Sequence, residues 1–345
     1  MRSRMIKRIF LIALVCIGIL IDPYKVFAIS QADDAAVIGG GARPLGMGRA
    51  FVAISDDSDA PFINPAGIAN LKRPQALTMF TSILNDVYYS EYNGALPSIY
   101  GTFAIGYITT GVNDIPYDDS GLLTNYYDDL FVLSYSSPLS RFFGYSKNVF
   151  VGLNYKLYSR GYTGGIDFYG TGMNFDLGLK YVLNQYLSFG LCQQNVLPAS
   201  LGGVIRYNTG ASEALVKQTK IGVAIKPIFF NGNILLAMDA DLPSTSGRPM
   251  LAHLGGEWKV VKGLELRAGL DQSVDPSLES RAGWSPSFGL SLGALGLRID
   301  YAYHPYYNNP ELTTNYVSIS YTGEPVFALK GGPTSDVDGS SGRGN

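Results

Sequence analysis

The sequence is poor in charge and in cysteine. Charged residues make up 16% of its 345 residues and the formal net charge is -2, whereas about a quarter of the residues of a typical soluble domain are charged. A nearly neutral chain lacks the basic face that nucleic-acid binding requires, so we expect no nucleic-acid partner. The two cysteines, Cys16 and Cys192, are too few for a disulfide scaffold.

Long apolar runs are also missing beyond residue 28. No later run of 18 apolar residues occurs, which excludes a bundle of membrane-spanning helices. The chain instead has 41 Gly, 24 Tyr and 17 Phe. An aromatic, Gly-rich and weakly charged chain without a spanning helix indicates an outer-membrane β-barrel.

The first 28 residues have the features of a secretory signal peptide. Four basic residues precede an apolar run over residues 9–21, and Ala28 follows. A basic region, an apolar core and a small residue at the cleavage site define such a peptide. The run is short for a membrane-spanning helix, which needs about 20 residues. We predict Sec-type export and cleavage after Ala28, with an uncleaved anchor as the minor alternative.

From residue 75 onward, apolar side chains alternate with polar ones. Leu153 and Leu157 share one face, for example, whereas Asn154 and Lys156 share the other. This period is typical of strands with one apolar and one polar face. We predict about fourteen strands, near residues 75–83, 86–95, 98–110, 127–136, 148–159, 169–182, 186–195, 215–226, 232–240, 250–260, 264–271, 284–292, 295–304 and 313–321.

The lengths of the predicted connections favour a membrane barrel. Counted from the first strand, most odd-numbered connections are long, including 111–126 and 196–214, and several even-numbered ones are tight, including 183–185 and 261–263. Long external loops that alternate with short periplasmic turns are typical of outer-membrane barrels. A soluble sandwich with its polar face in water is the alternative that the alternation leaves open.

Charged residues predict a network in the barrel lumen. A three-residue turn with Gly263 at the positive-φ position places Glu257 opposite Arg267 and Lys259 opposite Glu265. Opposite charges paired across strands stabilise a sheet. The predicted network consists of Asp239, Glu257, Lys259, Glu265, Arg267, Arg298 and Asp300. Its expected partners near the N-terminus are Arg43, Arg49 or Asp56.

Residues 39–71 are too rich in Gly, Pro and Asp to form one helix or strand, yet they are dense in small and aromatic residues. We interpret them as a packed hatch. Its candidate residues are Gly48, Arg49, Phe51, Asp56, Asp57, Asn64, Pro65 and Gly67. Pro65 fixes its own φ and restricts Asn64 to extended geometry, while Gly67 permits a reversal. A moving hatch and a static plug both fit this pattern.

Three stretches resemble a known family. Gly48-Arg49-Ala50-Phe51, Asp56-Asp57 and Asn64-Pro65-Ala66-Gly67 resemble the N-terminal hatch of the FadL-type outer-membrane transporters and of their PorV/PorQ relatives. Residues 253–271 (HLGGEWKVVKGLELRAGLD) and 288–303 (FGLSLGALGLRIDYAY) resemble two hairpins of the PorV/PorQ-type proteins. The resemblance implies an all-β, transmembrane, antiparallel barrel of fourteen strands with the hatch in its lumen.

We therefore expect four parts: a signal peptide (1–28), a hatch or plug (29–74), a fourteen-stranded outer-membrane barrel (75–321) and a disordered C-terminal tail (322–345). Outer-membrane lipid and the outer-membrane insertion machinery are the partners that such a barrel implies. FadL-type members admit hydrophobic molecules, which makes a conduit for a hydrophobic small-molecule ligand the favoured function. PorV-type members serve type IX secretion, so binding, shuttling or anchoring of secreted proteins is the alternative.

The residues for enzyme chemistry are sparse. His253 and His304 are the two histidines, they fall in separate predicted strands, and no Gly-x-Ser-x-Gly or metal-spaced cluster accompanies them. We predict no enzyme activity, no catalytic residue and no cofactor, and interpret both histidines as ordinary lumen or rim residues. Asp56, Asp57 and Asp59 carry the oxygen ligands that Ca²⁺ prefers, but we predict no metal site there.

Overall fold

The computed structural model describes residues 31–32, 40–83, 86–117, 121–144, 147–230, 232–243, 249–274, 282–305 and 313–325. The predicted signal peptide lies outside the described residues. Residues 33–39 of the predicted hatch and residues 326–345 of the predicted tail also lie outside them.

Fourteen antiparallel strands form one closed barrel within the described residues, which confirms the predicted all-β fold and the strand number. Each strand pairs with the next, β14 pairs with β1, and β7 pairs with β8 across a long connection. The strands are β1 (Gln75–Ile83), β2 (Val87–Ser98), β3 (Gly101–Pro116), β4 (Leu123–Pro138), β5 (Val149–Thr163), β6 (Phe168–Asn184), β7 (Leu187–Gln194), β8 (Gln218–Ile225), β9 (Ile234–Pro243), β10 (Leu251–Val261), β11 (Leu264–Val274), β12 (Ala282–Ala294), β13 (Leu297–His304) and β14 (Thr314–Thr322).

The two faces of the wall differ as the alternation predicts. On β5, Leu153 and Leu157 are 43% and 40% exposed on the outer face, whereas Asn154 and Lys156 are buried inside. The same contrast recurs around the barrel, so the outer surface is apolar and the inner one is mixed. An apolar outer face is the face that a membrane barrel turns to lipid.

The β10–β11 hairpin has the register that its turn chemistry leads us to expect. Gly263 has a φ of 84°, and the strands pair Glu257 with Arg267, Trp258 with Leu266 and Lys259 with Glu265. A register shift between Lys259 and Val261 marks the bulge. The acidic and basic side chains of this hairpin therefore share one face of the wall.

Two long connections contain more regular structure than predicted. β3 and β4 extend to Pro116 and Leu123, so most of the predicted connection 111–126 is strand. Polar residues such as Asn113 hide this extension from a periodicity argument, because they interrupt the apolar face of the strand. The predicted connection 196–214 contains most of a short hairpin.

A short hairpin completes the wall above β7 and β8, which have eight residues each. Its strands, Val204–Tyr207 and Ser212–Leu215, pair with each other. The first strand also pairs with residues 170–172 of β6, and the second pairs in parallel with Gln31–Ala32. We call residues 204–215 the outer hairpin.

The remaining helices are short. Ala42–Gly46, Ala60–Ile63 and the 3-10 helix Pro65–Asn70 precede the barrel, and Ser140–Phe143 lies between β4 and β5. Among the residues that the structure describes, no helix is both long and apolar enough to cross a membrane.

Candidate functional site: the barrel interior

Residues 40–71, here called the N-terminal segment, are mostly buried against the inward faces of the strands. Local chemistry sets their path. Asn64 accepts a hydrogen bond from the N–H of Ala66 at 3.2 Å, and Pro65 begins the 3-10 helix. At Gly67 a Cβ would overlap the backbone of Ser55, so only glycine permits this close approach.

Glycines on the inner face of the wall let the backbone of the N-terminal segment approach closely. A Cβ at Gly178 would overlap Asn64 Oδ1, and one at Gly269 would overlap the backbone at Gly48. We call this set the glycine belt. Its members are Gly106, Gly152, Gly178, Gly190, Gly222, Gly255, Gly269 and Gly289. Because the belt removes side chains where the segment passes, the segment and the wall pack backbone to side chain or backbone to backbone.

An ion network joins the N-terminal segment to β10. Arg43 donates from Nε to Glu257 Oε2 at 2.8 Å and from Nη1 to Asp56 Oδ1 at 2.6 Å and Asp57 Oδ2 at 2.8 Å. The guanidinium carbon lies 5.0 Å from the centre of the Phe51 ring. Arg43 also donates from Nη2 to Glu257 Oε1 at 3.0 Å, and such bidentate pairs are among the strongest charge-assisted hydrogen bonds.

The same network continues along the wall. Arg267 donates to Glu257 at 2.8 Å, to Glu265 at 2.7 Å and to Asp300 at 3.0 Å. Arg298 donates to Asp300 at 2.8 Å. A polar cavity of about 50 Å³ lies beside it at the end of the barrel where β1 begins, which is room for ordered water.

Two further acidic side chains on the wall hold the N-terminal segment. Asp239 accepts from the backbone N–H groups of Phe51 and Val52 at 2.5 and 2.7 Å. Asp271 lies 3.2 Å from Arg49 Nε. Arg49 adopts a φ of 62° to reach it.

Asp271 also joins the two histidines. His253 Nδ1 lies 2.7 Å from Asp271 Oδ1, and His304 Nε2 lies 3.0 Å from Asp271 Oδ2. Asp241 lies 3.5 Å from His253 Nε2 and 3.2 Å from Lys220 Nζ. This chain of ionisable groups runs around the inside of the barrel. No group of three or more His, Cys, Asp or Glu with metal-holding geometry occurs in the described part of the chain.

Neutral donors and one lysine from β4 to β7 hold the other half of the N-terminal segment by its carbonyl groups. Asn154 donates to Pro61 O at 2.6 Å and Ser188 to Ala53 O at 3.0 Å. The further donors are Ser136 to Ala66 O, Gln194 to Phe62 O and Lys180 to Ile54 O. Asn64 itself donates from the segment to Leu179 O of β6 at 3.2 Å.

A pair of buried carboxyl groups lies between the N-terminal segment and β2. Asn93 donates to Asp59 Oδ1 at 2.8 Å and to Glu91 Oε1 at 2.7 Å, and the N–H of Gly41 donates to Glu91 Oε2 at 2.8 Å. Asp59 Oδ2 has no hydrogen-bond partner among the described residues. Burial, together with the neighbouring Asp57 and Glu91 carboxylates, raises the pKa of Asp59 well above its usual range.

A layer of apolar side chains crosses the interior on the side of the outer hairpin. We call this set the apolar layer. Its wall members are Met79, Tyr89, Ile108, Leu130, Tyr158, Ala302 and Tyr316. Leu45 and Phe62 of the N-terminal segment pack against it from one side, and Ile205, Tyr207 and Leu215 of the outer hairpin pack from the other. The layer is therefore enclosed between two pieces of chain that are not barrel strands.

Ion pairs fasten the outer hairpin to the wall. Arg160 on β5 lies 2.5 Å from Asp128 and 3.3 Å from Glu213 of the hairpin. Tyr207 donates its hydroxyl to Glu213 at 2.7 Å, and its ring stacks on Phe168 with centroids 4.6 Å apart.

The residues predicted for the site lie in three places. The predicted hatch residues fall in the N-terminal segment, where Arg49 contacts Asp271 rather than the predicted network. Of the predicted network, two residues stand apart. Asp239 accepts from the N–H groups of Phe51 and Val52 instead. Lys259 has an exposed side chain and makes no ion pair with a described residue. Its position near the end of β10 lets water solvate the ammonium group.

Sequence reasoning missed the apolar layer, the glycine belt and the Asp59–Glu91 pair. A signal for the belt was present, because eight strands carry a glycine on the inward phase. The layer could have been found from the exceptions to alternation, since Ile108 and Leu130 lie on the inward face where polar residues are expected.

The barrel is similar to solved transporters. It matches the P. putida toluene transporter TodX over 83% of this chain and 98% of that one, with 13% identity and a TM-score of 0.57. It matches a Pseudomonas aeruginosa FadL homologue over 82% and 98%, with 12% identity and a TM-score of 0.56. The Ralstonia pickettii toluene transporter TbuX matches over 87% and 100%, with 13% identity and a TM-score of 0.53.

These matches show the fold, at identities too low to show more. No family model matches the sequence. No curated protein matches it either. Two of these structural neighbours are toluene transporters and the third is a FadL homologue, and none of the three is described as an enzyme.

Proposed function

We propose that the protein is an outer-membrane conduit for hydrophobic small molecules, which enter the barrel interior at the apolar layer. The observation that carries this proposal is the layer itself. The interior of a porin-like barrel is polar, whereas Tyr89, Ile108, Leu130 and Tyr316 form a fully buried apolar interior surface here. Such a surface binds molecules that gain from leaving water, by about 25 cal/mol for each Å² of apolar surface removed.

The comparisons support a substrate class. TodX and TbuX are toluene transporters. CymD, which this barrel also matches with a TM-score of 0.53, is a monoaromatic hydrocarbon channel. Small aromatic hydrocarbons are therefore the first molecules to test. Tyr89, Tyr158 and Tyr316 supply aromatic rings in the layer, and offset or edge-to-face ring pairs favour aromatic guests.

Two closures separate the layer from water in this proposal. The N-terminal segment acts as the predicted hatch towards the periplasm, and the outer hairpin acts as a lid towards the outside. β7 and β8 end where the outer hairpin begins, so displacement of the hairpin would open both the mouth and the adjoining section of wall. Its release requires separation of Glu213 from Arg160.

Placement in the outer membrane after cleavage of residues 1–28 is part of the same proposal. Amino-terminal sequencing of protein extracted from outer membranes should begin at Ile29. The PorV/PorQ-like alternative, a component of type IX secretion, gains no support from the transporters that this barrel matches, and no contact in the described residues favours it.

Uptake measurements test the conduit directly. Cells that express the protein should take up labelled toluene faster than cells that lack it, with no change for a hydrophilic solute of similar size. Ile108→Asp places a carboxylate in the apolar layer and should abolish the gain. Lys259→Asp is the matched control, since it adds the same group at an exposed position outside the layer.

Heat-modifiable migration on gels would show that both variants form the barrel. Equal uptake of toluene with and without the protein would contradict the conduit. Unchanged uptake by a folded Ile108→Asp variant would contradict the apolar layer as the route.

A further inference from the structure

The apolar outer surface of the barrel is short at β7 and β8. Their lipid-facing apolar side chains run only from Leu187 to Leu191 and from Ile221 to Ile225. Beyond Leu191 the outward phase of β7 continues with Gln193, which is buried and whose Oε1 accepts from Thr219 Oγ1 at 2.6 Å. Eight residues at about 3.3 Å each, tilted by about 40°, span roughly 20 Å, which is less than the apolar band of about 25 Å.

The turns at the opposite end of these strands supply apolar surface. Ile228, Phe229 and Phe230 follow β8 in a 3-10 turn and are 62%, 94% and 52% exposed. Phe142 and Phe143 in the β4–β5 connection are 53% and 65% exposed. These five residues, here called the aromatic ledge, lie at the end of the barrel where β1 begins and β14 ends.

Backbone hydrogen bonds hold the turns of the ledge side by side. The N–H of Val182 donates to Asn148 O at 2.9 Å, and the N–H of Lys226 donates to Tyr186 O at 2.8 Å. The connections β4–β5, β6–β7 and β8–β9 therefore form one continuous edge. The edge continues the lipid-facing surface of β8 and β9, where Ile225 and Leu236 are 46% and 48% exposed.

The charge on this edge has one sign. Exposed basic side chains flank the ledge at Arg141, Lys147 and Lys226, and others follow around the same end at Lys72, Arg73 and Lys262. The exposed carboxylates described at this end are Glu324 and Asp56, of which Asp56 is paired with Arg43. The opposite end carries exposed carboxylates at Asp86, Asp114 and Asp167, together with the exposed Arg206.

We propose that the aromatic ledge, with Arg141, Lys147 and Lys226, is a binding surface for anionic phospholipid in the periplasmic leaflet. The aromatic rings enter the acyl-chain boundary and extend the short apolar surface of β7 and β8. The basic side chains remain in the headgroup layer, where each cation attracts anionic lipid. The alternative occupant of this edge is a periplasmic protein, which would need acidic groups to match the basic side chains. Without such a partner, the exposed tip of Phe229 would then lie in water.

Fluorescence quenching by brominated lipids tests this proposal. The chain has two tryptophans, Trp258 and Trp284, both outward-facing and exposed, so the background is W258F/W284F. Phe229→Trp in that background places the probe at the tip of the ledge. The folded variant is reconstituted into vesicles in which either phosphatidylglycerol or phosphatidylcholine, at the same minor fraction, carries bromine on its acyl chains.

We expect the brominated lipids to quench the tryptophan probe strongly. Quenching by brominated phosphatidylglycerol should be roughly three-fold to five-fold more effective than quenching by brominated phosphatidylcholine, because the nearby cations enrich the anionic lipid. R141Q/K147Q/K226Q in the same background should remove the preference and keep the quenching. Absence of quenching would overturn insertion of the ledge. Equal quenching by both lipids before the charge substitutions would overturn recognition of anionic lipid.

Discussion

The two halves of the wall hold the N-terminal segment in different ways. On the side of β10 to β13 the contacts join ionised groups, such as Arg43 to Glu257 and Arg49 to Asp271. On the side of β4 to β7 most of the wall donors are neutral and bind backbone carbonyl groups, as Asn154 does with Pro61. A buried ion is strongly destabilised when its partner is lost, whereas a backbone carbonyl group can exchange a neutral donor for water at a lower cost in free energy.

This difference indicates which half can move. The apolar layer has most of its large members, among them Tyr89, Ile108, Leu130 and Tyr158, on β2 to β5. These strands adjoin the half with neutral contacts. In the proposed conduit, a path for a hydrophobic ligand past the N-terminal segment would therefore open most easily on the side of β4 to β7, while the charged half would keep the segment attached.

Among the substitutions considered, removal of Arg43 from the charged half should lower the free energy of unfolding most. Arg43→Ala leaves Glu257 and Asp57 buried without this partner, and loss of one member of a buried ion pair costs about 3–5 kcal/mol. The free energy of unfolding in urea, followed by tryptophan fluorescence, measures the change. Lys259→Ala is the control, because an exposed residue without an ion pair should change stability by less than about 0.5 kcal/mol.

A similarly small loss of unfolding free energy in Arg43→Ala and Lys259→Ala would mean that water enters the charged half. The stated difference between the two halves would then be wrong.

A methyl group on the glycine belt should disturb the neutral half. Gly178→Ala would overlap Asn64 Oδ1, and overpacking of this kind costs about 1–3 kcal/mol. Gly94→Ala is the matched control on β2, because its Cβ would meet Gln75 O at an ordinary 3.6 Å. Limited proteolysis should release the N-terminal segment faster in Gly178→Ala and at the original rate in Gly94→Ala. Equal rates would show that the segment adjusts without loss of contact.

Asn64 tests whether the neutral half acts as a gate. Asn64→Ala removes hydrogen bonds to Val52 O and Leu179 O, each of which contributes about 0.5–1.5 kcal/mol. We expect faster toluene uptake and weaker protection of the segment from protease. Asn70→Ala, at an exposed position, should change neither. If Asn64→Ala leaves both uptake and protection unchanged, the gating proposal is abandoned and a static plug remains.

The strand pattern was predictable because apolar outward and polar inward side chains alternate along the wall. β1 begins and ends at the predicted residues, Gln75 and Ile83. The ends of β3 and β4 were not, because strand pairing continues into water where alternation is no longer required. The Asp271 cluster also lay beyond prediction. His253 and Asp271 face each other through the β10–β11 register, but the contact with His304 depends on the curvature of the wall, which no local pattern encodes.

The Asp59–Glu91 pair should give the smallest effect, seen as a dependence of stability on pH. The pKa of Asp59 is raised in the folded protein by burial and by the nearby Asp57 and Glu91. A carboxyl group whose folded pKa exceeds its unfolded value, about 3.9 for Asp, binds its proton more tightly in the folded state. Its stabilising contribution is therefore complete below the unfolded pKa and is lost as pH rises through the folded pKa.

Asp59→Asn keeps the shape of the side chain and removes this titration, so the decline in unfolding free energy between acidic and neutral pH should become shallower. Asp167→Asn, at an exposed position near the other end of the barrel, should leave the decline unchanged. An unchanged pH slope of the unfolding free energy in Asp59→Asn would mean that Asp59 is solvated. The contact between the N-terminal segment and β2 would then be as open to water as the outer end of the barrel. A shallower slope would place a proton-dependent contact on β2, at the margin between the charged half and the neutral half.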